Sequence, residues 1–149
     1  MSQATSVYNA LVDRIEALYA SLRRLPNPYD LTENPEPLLK AGWGLVVGSA
    51  ENTERHISQK LSVARTFTVV FVRKFYGKDS DTTPRETTEQ AILEDQFTLI
   101  DDFETDSTLN GTASITKFVS DSGIQAVSFE KSQYVFIETN FTVEYFESL

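Results

Sequence analysis

From Thr5 to about Arg23 the apolar side chains Val7, Leu11, Ile15, Leu18, Leu22 and Leu25 recur at steps of three or four. That spacing is one face of an amphipathic helix, with Thr5 or Ser6 placed to cap it. Pro26 and Pro28 are expected to stop it, because proline lacks the N–H a helix needs and disfavours helix in the residue before it. "LPNPYDLTENPEPLL" then reads as an extended connection holding four of the five prolines. "WGLVVG", Trp43 to Gly48, predicts a short strand between glycines, and "SAENTE" a turn.

From Ile57 to Tyr76 the period changes to two. Leu61, Val63, Phe67, Val69, Phe71 and Phe75 share one parity, while Ser58, Lys60, Ser62, Thr66 and Thr68 share the other. This is the pattern of a sheet with one buried face. The run is far longer than the usual ~5–6 residues. It predicts either two strands broken near Ala64 or one long strand projecting beyond the core.

"GKDSDTTPRETTEQ" is polar without periodicity and reads as a loop. Thr87 with Gln90 three residues on resembles a capping box, with Thr88 as the one-residue alternative. The helix it opens is expected to carry Ile92, Leu93, Phe97, Ile100 and Phe103 on one side and Glu94, Asp95, Asp101 and Asp102 on the other, and to end at "TDSTLNGT". Three strands follow, at Ala113–Ser120, Ile124–Glu130 and from Tyr134 onward. The turns "SDSG" and "EKSQ" between them are short enough for antiparallel hairpins.

The closing run has two characters. Val135, Ile137, Thr139, Phe141, Val143 and Tyr145 form a core parity. Tyr134, Phe136, Glu138, Asn140, Thr142, Glu144 and Phe146 form one that is polar in the middle and aromatic at both ends. Helices and strands do not alternate as in a parallel βαβ array, so the fold class is α+β: a mostly antiparallel or mixed sheet covered on one face by two amphipathic helices.

At 149 residues, 40% of them apolar, the chain is expected to form one domain spanning 1–149 with a core that needs no staples. It has no cysteine, which removes disulfides, thiolate metal sites and a cysteine nucleophile. No stretch approaches the ~18 apolar residues of a membrane helix, and the start lacks a basic region followed by an apolar block, so a soluble, unexported protein is expected. The net charge of −9 is uneven: residues 41–76 carry five basic and two acidic groups, residues 77–149 four and fifteen. A chain this acidic is a poor partner for nucleic acid phosphates. Surplus carboxylates also simply keep a surface solvated.

Motifs for chemistry are scarce. The one histidine, His56, lies in a predicted turn between polar residues and reads as an exposed loop histidine, whereas a Ser-His-Asp arrangement would need it buried beside a serine and a carboxylate. The phosphate-cradling glycine loops are missing. Asp102, Glu104 and Asp106 alternate in "DDFETD", but a calcium loop counted from Asp102 would need glycine and glutamate where Ser107 and Ala113 stand. No pair of the twenty-two acids is singled out as a hydrolytic dyad. No catalytic residue, cofactor or metal is expected.

The order of elements does carry a resemblance. An N-terminal helix, "WGLVVGSAENTERHISQKLSVARTFTVVFVRKFY", a polar loop, an acidic helix and a final strand ending "IETNFTVEYFE" resemble the tail terminator proteins of long-tailed bacteriophages, also called tail-completion or head–tail joining minor tail proteins. The resemblance spans nearly the whole chain and brings no active site with it. It implies a small α+β subunit in the virion, at the head-proximal end of the tail, assembled in the host cytoplasm. Such subunits form a ring, typically a hexamer, that caps the tail tube, ends its polymerisation and offers the joining surface for the head. The implied partners are further copies of the chain, the tail tube protein and a head-completion or connector protein. DNA would pass through an acidic lumen without specific binding, and no membrane is involved.

Within that reading Lys60, Arg65, Arg73 and Lys74 are candidates to pair with acids across subunit contacts; as solvated strand ends they would need no partner. Lys78, Asp79 and Arg85 from the second polar loop, with Glu138, Glu144 and Phe146 on the outer parity of the last strand, complete the candidate interface. Trp43 reads as core. Two alternatives stay open: another head–tail connector subunit, or a small ligand-binding or hydrolytic α+β domain whose aromatic strands enclose a pocket.

Overall fold

Residues Lys60–Tyr76 form a single strand of 17 residues, settling the choice between one long strand and two. The computed structural model describes residues 1–27, 29, 39–56, 60–76, 84–129 and 132–148. In chain order the elements are α1 (Gln3–Leu18), β1 (Arg23–Arg24), β2 (Ala41–His56), β3 (Lys60–Tyr76), α2 (Arg85–Thr105), β4 (Ile115–Asp121), β5 (Gln125–Phe129) and β6 (Ser132–Ser148). The six strands make one sheet in the order β1-β2-β3-β6-β4, with β5 also on β6. All pairings are antiparallel except β1 with β2. The class is α+β, as the element order implies.

The sheet differs from the sequence reading in two places. "SAENTE" is strand, not turn: Ala50, Glu51 and Asn52 pair with Arg65, Ala64 and Val63, and irregularities after Val47 and Asn52 absorb the polar run. β2 therefore matches β3 in length, and the backbone of His56 closes a strand. "SDSG" is not a hairpin turn either. β4 and β5 run in the same direction along β6, separated by an interruption in which the Ser122 N–H donates to the Glu138 carbonyl at 3.0 Å and Gly123 takes φ +73°. A long edge strand is broken there by one glycine.

The closing strand is not an edge. β6 pairs with β3 over its whole length on one side, and with β4 then β5 on the other. Its core parity is buried throughout, with Val135, Ile137, Thr139, Phe141, Val143 and Tyr145 all at 2% exposure or less. Most of Ser132–Glu144 is held from both sides, and the last four residues, Tyr145 to Ser148, by β3 alone.

Both helices lie on one face, as the two amphipathic stripes predict. Leu11 and Ile15 of α1 and Ile92, Leu99 and Phe103 of α2 share a core with Phe67, Val69 and Phe71 of β3 and Ile137 and Phe141 of β6. Each buried phenylalanine contributes about 2–3 kcal/mol of apolar transfer. Phe103 meets Phe141 edge to face at 4.8 Å, and Tyr19 meets Phe71 at 5.4 Å. The expectation of one buried face is too simple, however. Val70, Val72 and Tyr134, on the opposite parity, pack with Leu25 and Leu39 into a second core. The signal was present in "VVFV", which is apolar on both parities.

The helix ends also move. Ser2 caps α1, its Oγ accepting the Thr5 N–H at 3.2 Å, so neither Thr5 nor Ser6 is the cap. The helix stops at Leu18, well before the prolines. Leu22 and Leu25 are buried beyond its end, where β1 folds against β2. Gly42 makes that approach possible, because a Cβ there would sit 2.8 Å from the Arg23 carbonyl oxygen. α2 opens after Pro84 with no side-chain cap, and the Thr88 N–H donates to the Pro84 carbonyl. The capping box at Thr87 is not used. Most of the two polar loops, including Lys78 and Asp79, lies outside the described residues.

Candidate functional site

The orientation of α2 decides what the surface offers. Its expected apolar side is split. Ile92, Leu99 and Phe103 are at 1% exposure or less, whereas Leu93 stands at 47% and Phe97 at 60%. At about 100° per residue, Leu93 and Phe97 lie roughly 100° and 140° around the helix from Ile92, too far to share its face. Polar side chains take the vacated inward positions. Asp95 accepts from Arg73 Nε at 2.6 Å and Nη2 at 2.9 Å, its backbone carbonyl accepts from the Tyr19 hydroxyl, and Gln96 donates to Asp121 at 3.1 Å and to Thr139 at 3.2 Å.

These bonds also fix which way the helix leans. Asp95 faces Arg73 and Tyr19, and Asp102 faces Arg14 of α1 at 2.7 Å, so one flank looks toward α1. Gln96 marks the other flank, which looks toward β4. Leu93 and Phe97 sit on that second flank, beside an edge strand with Phe118 at 39% exposure and Val119 at 58%. Phe118 rests edge to face on Phe141 at 6.0 Å, on the helix-covered side of the sheet. Four large apolar side chains are therefore exposed along one margin of the molecule. Isolated exposed hydrophobics are ordinary, but a grouped set points to contact.

That margin is acidic. Glu94, Asp101, Glu104 and Asp121 are exposed around it, against Lys117. The opposite margin, formed by β1 and β2, is weakly basic: Arg23, Arg24 and Lys40 are exposed there, against Glu51 on β2 and Glu16, which lies 3.8 Å from Arg24. It carries its own exposed apolar residue, Val47 at 50%. Among the described residues no strand pairs with the outer edge of β4 or β5, or with β2 beyond Trp43.

The residues singled out from sequence do not gather on one surface. Arg73 turns inward to Asp95, and its guanidinium is held more firmly protonated chiefly by that side-chain hydrogen bond. Arg65 donates to the Tyr145 hydroxyl at 3.1 Å and the Gly48 carbonyl at 3.0 Å. Lys74 is 8% exposed, and its N–H donates to the Lys40 carbonyl. Arg85 pairs with Glu89 at 2.7 Å, with its guanidinium carbon 5.9 Å from the Phe75 ring centroid. Glu138 accepts from the Tyr29 hydroxyl at 3.0 Å, and Glu144 lies 3.9 Å from Lys117. Lys60 is exposed at the start of β3 opposite Ser148, and Phe146 is 46% exposed near the same end of the sheet. Arg73 and Lys74 help line a cleft of about 300 Å³ with Lys40, Thr87 and Thr88. Leu93, Phe97, Phe118, Val119 and Val47 were missed, although the angular split within α2 was legible.

The acidic run resolves into a charge pair. Arg14 donates to Asp102 at 2.7 Å and to Asp106 at 2.9 Å. Asp106 also accepts from Thr108 and from the N–H of Asn110, and these bonds, Arg14 first, hold its carboxyl well below the usual carboxylate range. Among the described residues no group of three or more His, Asp or Glu side chains is placed to hold a metal ion. No described helix is long and apolar enough to cross a membrane. A second cleft of about 280 Å³, between Ala10, Arg14 and Leu109, holds a single carboxylate, Asp13. No protein-family model matches the chain, and no curated protein matches it.

Proposed function

We propose that this chain is a structural subunit of a phage tail: copies join into a ring, the six-membered cap implied by the resemblance, that ends the tail tube and presents the joining surface for the head. The observation that supports this reading is the pair of unlike margins. A six-stranded sheet with two open edges, one apolar and acidic and the other basic, suits head-to-tail contact between copies, and head-to-tail contact closes into rings when the rotation allows. The helix-free face of the sheet fits a lumen. Beyond the second core it is polar, with Thr68 donating to Asn140 at 2.8 Å and Asn140 to Ser120 at 3.1 Å, and Glu138 and Glu144 beside them. Such a face gives passing DNA hydroxyls and carboxylates and few cations.

Mechanistically the subunit works by surface complementarity. One ring face fits the last turn of tube subunits, and the other lacks what a further tube subunit needs. The test is negative-stain imaging of tail tubes assembled with and without the purified protein, together with light scattering of the protein alone. Tubes of defined length with density at one end are expected. Uncapped tubes and a protein that stays monomeric at high concentration would remove the reading.

A further inference from the structure

We infer that the contact between copies is made by the α2–β4 margin of one subunit against the β1–β2 margin of the next. This rests on the ring-forming reading and adds to it the surfaces and their polarity. The first margin offers Leu93 and Phe97, one helical turn apart on the outer flank of α2, and Phe118 and Val119 on the adjacent edge strand. The second offers Val47 on an open stretch of β2. Their net charges are opposite: Glu94, Glu104 and Asp121 outnumber Lys117 around the apolar group on one side, and Arg23, Arg24 and Lys40 outnumber Glu16 and Glu51 on the other.

Three physical features favour this occupant over others. Apolar side chains at the centre of a patch with charges at its rim are the usual anatomy of a protein–protein contact. Opposite rim charges steer the two margins together, while two copies of the same margin repel. The acidic margin therefore disfavours the isologous dimer in which α2 packs on α2. A heterologous contact also uses both margins of every subunit, so no copy in a closed ring leaves an apolar margin or a sheet edge exposed.

Two variants test the polarity. Leu93→Glu with Phe97→Glu disables the α2–β4 margin, and Val47→Glu with Arg23→Glu disables the β1–β2 margin. All four side chains are exposed, and circular dichroism of each variant is expected to match the parent, which separates loss of contact from loss of fold. In sedimentation velocity the parent is expected to assemble, and each variant alone to stay monomeric, its dissociation constant raised about a hundredfold or more. Mixed in equal amounts, the variants should form a dimer and nothing larger, because each retains the margin the other lacks. If the Leu93/Phe97 variant assembles like the parent, or the mixture stays monomeric, the assignment is overturned while the ring remains. A parent that forms only open filaments, lost in both variants, upholds the assignment and removes the ring. A parent that stays monomeric overturns both.

Discussion

The Glu147 carboxylate caps the first turn of α1 from the far end of the chain, accepting the N–H of Gln3 at 2.7 Å and that of Ala4 at 3.2 Å. Two amide groups that a helix leaves without internal partners are met by a negative charge at the positive end of the helix dipole. Replacing Glu147 by Ala is expected to cost about 1 kcal/mol. For a chain of this size that lowers the melting temperature by roughly 2–4 °C. Thermal unfolding by circular dichroism reads the loss, and hydrogen exchange should speed up at Gln3 and Ala4 before anywhere else. An unchanged exchange rate there would count against the cap.

Arg73 and Asp95 join β3 to α2 through two hydrogen bonds, with the Asp95 side chain only 11% exposed. Removing either partner leaves the other poorly solvated beside the core. Asp95→Ala and Arg73→Met are each expected to destabilise by about 2–3 kcal/mol in urea unfolding. The double variant should lose clearly less than the sum of the two, because neither charge is then stranded. Additive losses would show that the pair is not coupled.

The rotation of α2 makes an unequal prediction for two phenylalanines on one helix. Phe103→Ala should cost about 3–5 kcal/mol, since its ring is buried against Phe141. Phe97→Ala, at an exposed position, should stay within about 0.5 kcal/mol. Comparable losses at both would mean that Phe97 is part of the core.

Burial, and the nearby Asp95 charge after it, pushes the Tyr19 hydroxyl well above the usual phenol range. A group that resists ionisation in the folded state loses its proton first in the unfolded chain, so the stabilisation is complete below about pH 10 and declines above it. Chemical denaturation across pH 8 to 11, with both limits chosen around that reference value of about 10, should show a fall at the alkaline end. Tyr19→Phe should be less stable at neutral pH, lacking the hydrogen bond to the Asp95 carbonyl, but flatter toward high pH.

Acid acts on Asp106 with the opposite sign. Its carboxyl is held low by Arg14 first, then by Thr108 and Asn110. The unfolded chain therefore takes up the proton first, near pH 4, and this contribution to stability is present above that pH and lost progressively below it. Asp106→Asn should flatten the acid limb of the stability curve without changing its alkaline limb. An unaltered acid limb would assign the pH dependence to other carboxylates.

Much of the architecture was legible in local pattern. The 3.6 period before Leu18, the alternation through β3 and the core parity of the last strand each describe a face, and a face is what short-range periodicity encodes. The same logic misjudged Leu93 and Phe97, because a residue's apolar character says that it prefers burial, not that a partner is present within the chain. It also missed Asp95 and Gln96, whose inward positions depend on Arg73 of β3, Thr139 of β6 and Tyr19 just past the end of α1.

Of the candidate surface, the sequence by itself determined the ingredients: uneven charge, long strands, no cysteine and no recognisable catalytic motif. Only the tertiary structure decided that the last strand is central, that "SAENTE" extends β2, that Arg73 is committed to Asp95, and that apolar and acidic residues meet on one margin opposite a basic one. The reason is that strand order and helix rotation are set by contacts between residues far apart in the chain. Periodicity is a property of neighbours in sequence, and a margin is a property of neighbours in space.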